Sequence, residues 1–95
     1  MKILALERER LGTQPSEFVP HLKAEAMCIW HLFQDDVIRV LYFRQDRSEA
    51  ILILECSDTV EARQMLDSLP LVRSGLIDFD IIPLIPYPGF ERLFA

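Results

Sequence analysis

The chain opens on an apolar run, Ile3-Leu4-Ala5-Leu6, that gives way to the charges Glu7-Arg8-Glu9, and Lys2 to Glu9 reads as a first strand. Gly12-Thr13-Gln14-Pro15-Ser16 follows with turn chemistry and two candidate N-caps, Thr13 and Ser16. Phe18, Leu22, Ala26, Ile29 and Phe33 then recur at steps of four, four, three and four. That spacing predicts an amphipathic helix running to about Asp35 with those five residues as its buried face. Pro20 falls early in the pattern, and its missing N–H predicts a kinked or loose first turn. Two strand-like runs, Ile38 to Phe43 and Ala50 to Cys56, flank the polar connection Arg44 to Glu49 and predict an antiparallel hairpin. Asp58 and Glu61 have the spacing of a capping box, and Ala62, Met65, Leu66 and Leu69 form the stripe of a second helix that Pro70 stops. Ile77 to Leu84 reads as the last strand.

Strand, helix, strand, strand, helix, strand is the order of a ferredoxin-like α+β sandwich, a four-stranded antiparallel sheet with both helices on one face. Ala50-Ile51-Leu52-Ile53-Leu54 is apolar at every position, whereas a sheet with one wet face should alternate. Two helices cover one face only, so the other needs a second cover, most simply another copy of the chain. The segment from Ile85 to Ala95 carries Pro86-Tyr87-Pro88-Gly89-Phe90, too rich in proline for a regular element and too aromatic for a free end. It is expected to lie against the partner subunit of a homodimer or a higher homo-oligomer.

Ninety-five residues make one small domain, and a formal charge of -5 with no basic stripe disfavours nucleic acid and anionic membranes as partners. The N-terminal apolar run is shorter than the roughly 7–15 residues of a secretory signal core. No uncharged run reaches the roughly 18 residues of a membrane span, so a cytoplasmic location is expected. Cys28 and Cys56 stand without a CxxC or a histidine at finger spacing, and His21 and His31 lie well apart along one helix, so no metal is expected. Neither a phosphate-binding glycine loop nor a serine elbow is present, and no cofactor is expected.

Chemistry is offered by a second stripe on the first helix, His21, Glu25, Cys28 and Leu32, at i, i+4, i+7 and i+11. Bordering a cavity between helix and sheet, Glu25 or His21 would be the general base, with Cys28 shaping the wall; otherwise the stripe is a boundary face. Arg39 and Arg44 sit at the ends of the second strand, and an odd separation prevents both from facing one side unless a bulge intervenes. Arg39 is the candidate to hold a substrate carboxylate. Tyr42 offers a hydroxyl to a substrate oxygen, or belongs to the core.

The stretch Ser68-Leu69-Pro70-Leu71, then Ile77-Asp78-Phe79-Asp80-Ile81-Ile82-Pro83-Leu84 and Pro86-Tyr87-Pro88, resembles the muconolactone isomerase-like group of the dimeric α/β-barrel superfamily, as does Leu22-Lys23-Ala24-Glu25. The resemblance covers nearly the whole chain in element order and length. It implies a dimeric α/β barrel and a cofactor-free enzyme that shifts a proton on a small lactone or organic acid. Such a reaction needs a positioned base, a cation for the carboxylate and a dry pocket. Two other roles fit the same fold: a non-catalytic small-molecule-binding or assembly domain, and a cofactor-free monooxygenase-like member of the superfamily.

Overall fold

The computed structural model describes residues 1–95. Its sheet has four strands, β1 (Lys2–Glu9), β2 (Ile38–Phe43), β3 (Ala50–Glu55) and β4 (Ile77–Pro83), in the order β2-β3-β1-β4 with every neighbouring pair antiparallel. This is the ferredoxin-like arrangement, and the strand limits fall within a residue of those expected. Four helical segments, α1 (Pro15–Phe18), α2 (Leu22–Gln34), α3 (Thr59–Asp67) and α4 (Pro70–Arg73), join the strands. A 3-10 turn at Val19–His21 separates α1 from α2, the irregularity Pro20 predicts.

Caps are partly as expected. The Glu61 amide donates to Asp58 Oδ1 at 2.8 Å, as an N-cap requires, but the Glu61 carboxylate accepts from Ser57 Oγ at 2.6 Å. Gln14, not Thr13 or Ser16, precedes α1, and its amide donates to Glu17 Oε2 at 2.6 Å. Pro70 does more than stop a helix. It occupies the first position of α4, where its lacking N–H costs nothing.

Strand pairing settles which residues share a face. Ile3 and Ala5 of β1, Leu52 and Leu54 of β3, and Ile77 and Phe79 of β4 are buried under the helices, and Ala62, Leu66 and Leu69 close the core above them. The register between β2 and β3 slips by one residue between Ile38 and Val40, a β-bulge that holds Arg39. Arg39 Nε donates to the Asp36 carbonyl at 2.6 Å, next to the positive φ of 62° at Asp36. Because of the extra residue, Ile38, Leu41 and Phe43 all share the helix-facing side with their partners Leu54, Leu52 and Ala50. Tyr42 is thereby turned to the opposite face beside Ile51.

That opposite face has no helix over it and presents Leu4, Leu6, Val40, Tyr42, Ile51, Ile53 and Ile82. The tail beyond β4 runs out to a 3-10 segment, Gly89–Phe94, with Phe94 86% exposed. Overall extents are 57 × 28 × 21 Å with a radius of gyration of 15.4 Å, against about 12 Å for a compact chain of this length. Within the tail Tyr87 and Phe90 meet edge to face at 5.1 Å, and a Cβ at Gly89 would run into the Tyr87 ring. No helix is long and apolar enough to cross a membrane.

Candidate active site

Helix α2 packs over β2 and against α4, while α3 packs over β4. The buried face of α2 differs in part from the expected one. Of the five expected residues Phe18, in α1, and Ile29 do pack on the core; the core-directed stripe of α2 is Cys28, Ile29 and Leu32, with Glu25 half-buried on the same side. Leu22, Ala26 and Phe33 are exposed. They border a cavity of about 490 Å³ between α2 and the β2 half of the sheet. Trp30, 54% exposed, and Phe33, 46% exposed, stack at 6.5 Å along its mouth. Leu41 and Phe43, brought to this side by the bulge, form the opposing wall. Of thirteen lining residues eleven are hydrophobic, and the other two are Glu7 and Glu25. An apolar hollow with two convergent acids has the makeup of a small-molecule site.

Glu7 is the residue the sequence reading missed. It sits where the apolar run of β1 becomes charged, but it pairs with the buried Phe79 and so points under the helices. Its Oε1 accepts from the Ala50 amide at 3.3 Å. Burial pushes its carboxyl from an ordinary 4.5 up to about 7; the Ala50 amide opposes that rise, and the charges of Glu49, Glu25 and Glu9 add to it. Glu49, 6% exposed, accepts from the Glu9 amide at 3.0 Å through Oε2. Its Oε1 has no hydrogen-bond partner, and Arg44 and Arg47 stand 3.8 Å from it. The signal available in the sequence was the phase Ile3-Ala5-Glu7, but Leu4 and Leu6 make the other phase equally apolar.

A carboxyl that binds its proton more tightly when folded makes the folded chain the proton-richer state between about pH 4.5 and 7. Stability therefore falls as pH rises through that window, by about 2 kcal/mol once partial solvation of the side chain is allowed for. Urea midpoints should be higher at pH 5 than at pH 8, and Glu7→Gln should flatten the slope and stabilise the protein at pH 8. Parallel profiles for wild type and variant would show that Glu7 titrates normally.

Glu25 is held by a second device. Its Oε1 accepts from the Leu71 amide at 3.0 Å, one of the orphan donors in the first turn of α4, whose own N-cap Leu69 has no side chain to offer. Burial raises its pKa, while the Leu71 amide and the nearby His21 act in the other direction. Glu25→Gln keeps an acceptor and should leave stability nearly unchanged, whereas Glu25→Ala should cost about 1 kcal/mol, the usual scale of a lost cap. Equal denaturation midpoints for the two variants would argue against the cap.

The other expected site residues are scattered. His21 ends the 3-10 turn and Cys28 packs on the core; neither borders the cavity. Tyr42 reaches its rim, 68% exposed, though its strand position assigns the side chain to the far face. Arg39 lies at the bulge bonded to Asp36, and Arg44 pairs with Asp46 at 2.6 Å in the hairpin, so neither is at the cavity. No group of three or more His, Cys, Asp and Glu side chains is arranged to hold a metal ion.

The fold has a solved counterpart. The structure of 5-chloro-2-hydroxyhydroquinone dehydrochlorinase from Burkholderia phenoliruptrix AC1100, in complex with 2,5-dihydroxybenzoquinone, matches with a TM-score of 0.74. The match covers 94% of this chain and 98% of that one at 16% sequence identity. What the two share is the fold. No protein-family model and no curated protein matches the chain by sequence.

Proposed function

We propose that this protein is a small cofactor-free enzyme that shifts a proton on a small unsaturated ring, in the manner the muconolactone isomerase resemblance implies. The observation that carries the reading is Glu7, a carboxyl with a pKa of about 7 on the wall of an apolar cavity. A group with that pKa is a base and an acid in comparable amounts at neutral pH, the condition under which proton transfer by a side chain works best. In the proposed cycle the Glu7 carboxylate takes a proton from the ring carbon next to the carbonyl. Charge passes to the carbonyl oxygen and the double bond moves. Glu7-COOH then returns the proton two carbons along, so that nothing is oxidised or reduced. Glu25, near enough to act on Glu7 electrostatically, keeps the second acid of the wall in place through the Leu71 amide.

The solved counterpart adds that a chain with this fold is an enzyme crystallised with a hydroxylated quinoid ring. The proposed enzyme works as a homodimer joined through the bare sheet face, with the tail from Ile85 to Ala95 on the partner. Following α-angelica lactone by NMR in D2O tests the activity. The reading expects protein-dependent exchange of the ring proton beside the carbonyl and movement of the double bond. Exchange no faster than in buffer with this lactone, with muconolactone and with 2,5-dihydroxybenzoquinone would leave a binding domain as the better account.

A further inference from the structure

We infer that the cavity between α2 and β2 accepts uncharged rings bearing hydroxyl or carbonyl groups and rejects organic anions. The inference deepens the proton-transfer reading, resting on it for the cavity being the working site, and departs from the carboxylate-bearing substrate that the sequence resemblance implies.

Three observations carry it. First, the only charge-bearing side chains that line the cavity are the carboxyls of Glu7 and Glu25; Tyr42 and Trp30 add a neutral hydroxyl and an indole N–H, and the rest of the wall is apolar. Second, none of the ten Lys and Arg side chains borders it. The arginine expected to hold a carboxylate, Arg39, is bound to the Asp36 carbonyl at the bulge. Others are taken up elsewhere, Arg8 by Asp80 at 2.7 Å and Arg63 by Asp78 at 2.8 Å. Third, the charges that act on Glu7 are acidic, Glu49, Glu25 and Glu9, while the basic His21 acts on Glu25 without bordering the cavity. The guanidinium groups near Glu49 stand 3.8 Å from its Oε1, on the hairpin side, and serve Glu49 instead of the hollow.

An anion entering such a space would lose its hydration, meet like charge and find no lysine or arginine on the wall, and in a low-dielectric site each of these is costly. A neutral ring suffers none of them. Its hydroxyl hydrogens have carboxylate oxygens to bond, and its apolar carbons meet a wall that includes Trp30 and Phe33. A cation would gain from the acids but must be stripped of water against a wall of eleven hydrophobic residues, so the uncharged form is preferred.

Binding separates this inference from the catalytic reading, since it needs no turnover. Benzene-1,4-diol, 4-hydroxybenzoate and 4-hydroxybenzylammonium share one ring and one hydroxyl and differ in the charge of the second group. Calorimetric titration at pH 8 of the full chain should give the diol at least about tenfold tighter than the benzoate. The double variant Glu7→Gln with Glu25→Gln should narrow that gap several-fold. Protection of Trp30 fluorescence by the diol would localise it to this cavity. Equal or tighter binding of the benzoate by wild type, tightest binding of the ammonium compound, an unchanged gap in the double variant, or no binding of any of the three would each overturn the inference. Exchange of the lactone proton with a failed charge preference would overturn the inference alone and leave proton transfer standing.

Discussion

Glu7→Gln is expected to slow proton exchange on α-angelica lactone by about a hundredfold or more, the scale on which a lost general base is felt. Glutamine has the same shape and keeps a side-chain oxygen to accept from the Ala50 amide, so the β1–β3 junction should survive. What disappears is the group able to hold a proton. Wild-type exchange should rise with pH through about 7, as Glu7 becomes a carboxylate, and the variant should show no such rise. Glu25→Gln should have the smaller effect, because one Glu25 oxygen is already engaged by Leu71. The measurement is the exchange rate by NMR at several pH values, with circular dichroism to show that each variant is folded. Unchanged exchange in Glu7→Gln would remove Glu7 from the mechanism, whatever Glu25 does.

The second large effect lies on the other side of the sheet. Leu4, Leu6, Ile51 and Ile53 occupy the middle of a face that no helix covers, rimmed by Val40, Tyr42 and Ile82. A contiguous apolar surface of this kind marks an interaction site, and a self-complementary sheet face suits a two-fold dimer. Light scattering at low micromolar concentration should give twice the 11.1 kDa chain mass. Ile53→Glu would place one charge from each subunit, unpaired, at the centre of the contact, since Ile53 lies between Leu4 and Val40. A buried uncompensated charge costs about 3 kcal/mol or more, so the dissociation constant should weaken by about a hundredfold or more. Deleting residues 85–95, whose apolar side chains find no cover on their own chain, should leave a protein that aggregates or melts earlier. A stable, monodisperse wild-type monomer would end the dimer proposal, and an equally stable truncated chain would end the docked tail.

The local chemistry of the chain was legible along its length. The runs Ile38 to Phe43 and Ala50 to Cys56 became β2 and, to within a residue, β3, Asp58 became the cap of α3, and the loose turn expected at Pro20 is the 3-10 turn before α2. Each depends on neighbours a few residues away, on strand period, cap spacing and a missing amide hydrogen, so the residues themselves contain the information. The apolar sheet face without a helix was legible as well, because Ala50 to Leu54 is apolar at every position and two helices cover one face only.

The site was another matter. A helix with apolar residues on two adjoining stripes has no preferred rotation of its own. The Glu25–Leu71 bond and the packing of Cys28 and Leu32 turned α2 so that Leu22, Ala26 and Phe33 face a hollow and not the core. One extra residue at Arg39 exchanged the faces of everything after it in β2, bringing Leu41 and Phe43 to the cavity wall and leaving Tyr42 with a strand position on the other face, only at the cavity's rim. By itself the sequence determined the elements, their order and an apolar sheet face opposite the helices. Only the tertiary structure decided that Glu7 meets Glu25 across an apolar wall while the arginines lie elsewhere. Rotation of a helix and phase of a strand are settled by contacts between segments far apart in the chain, and a period of two or of 3.6 states that a buried face exists without saying what it will face.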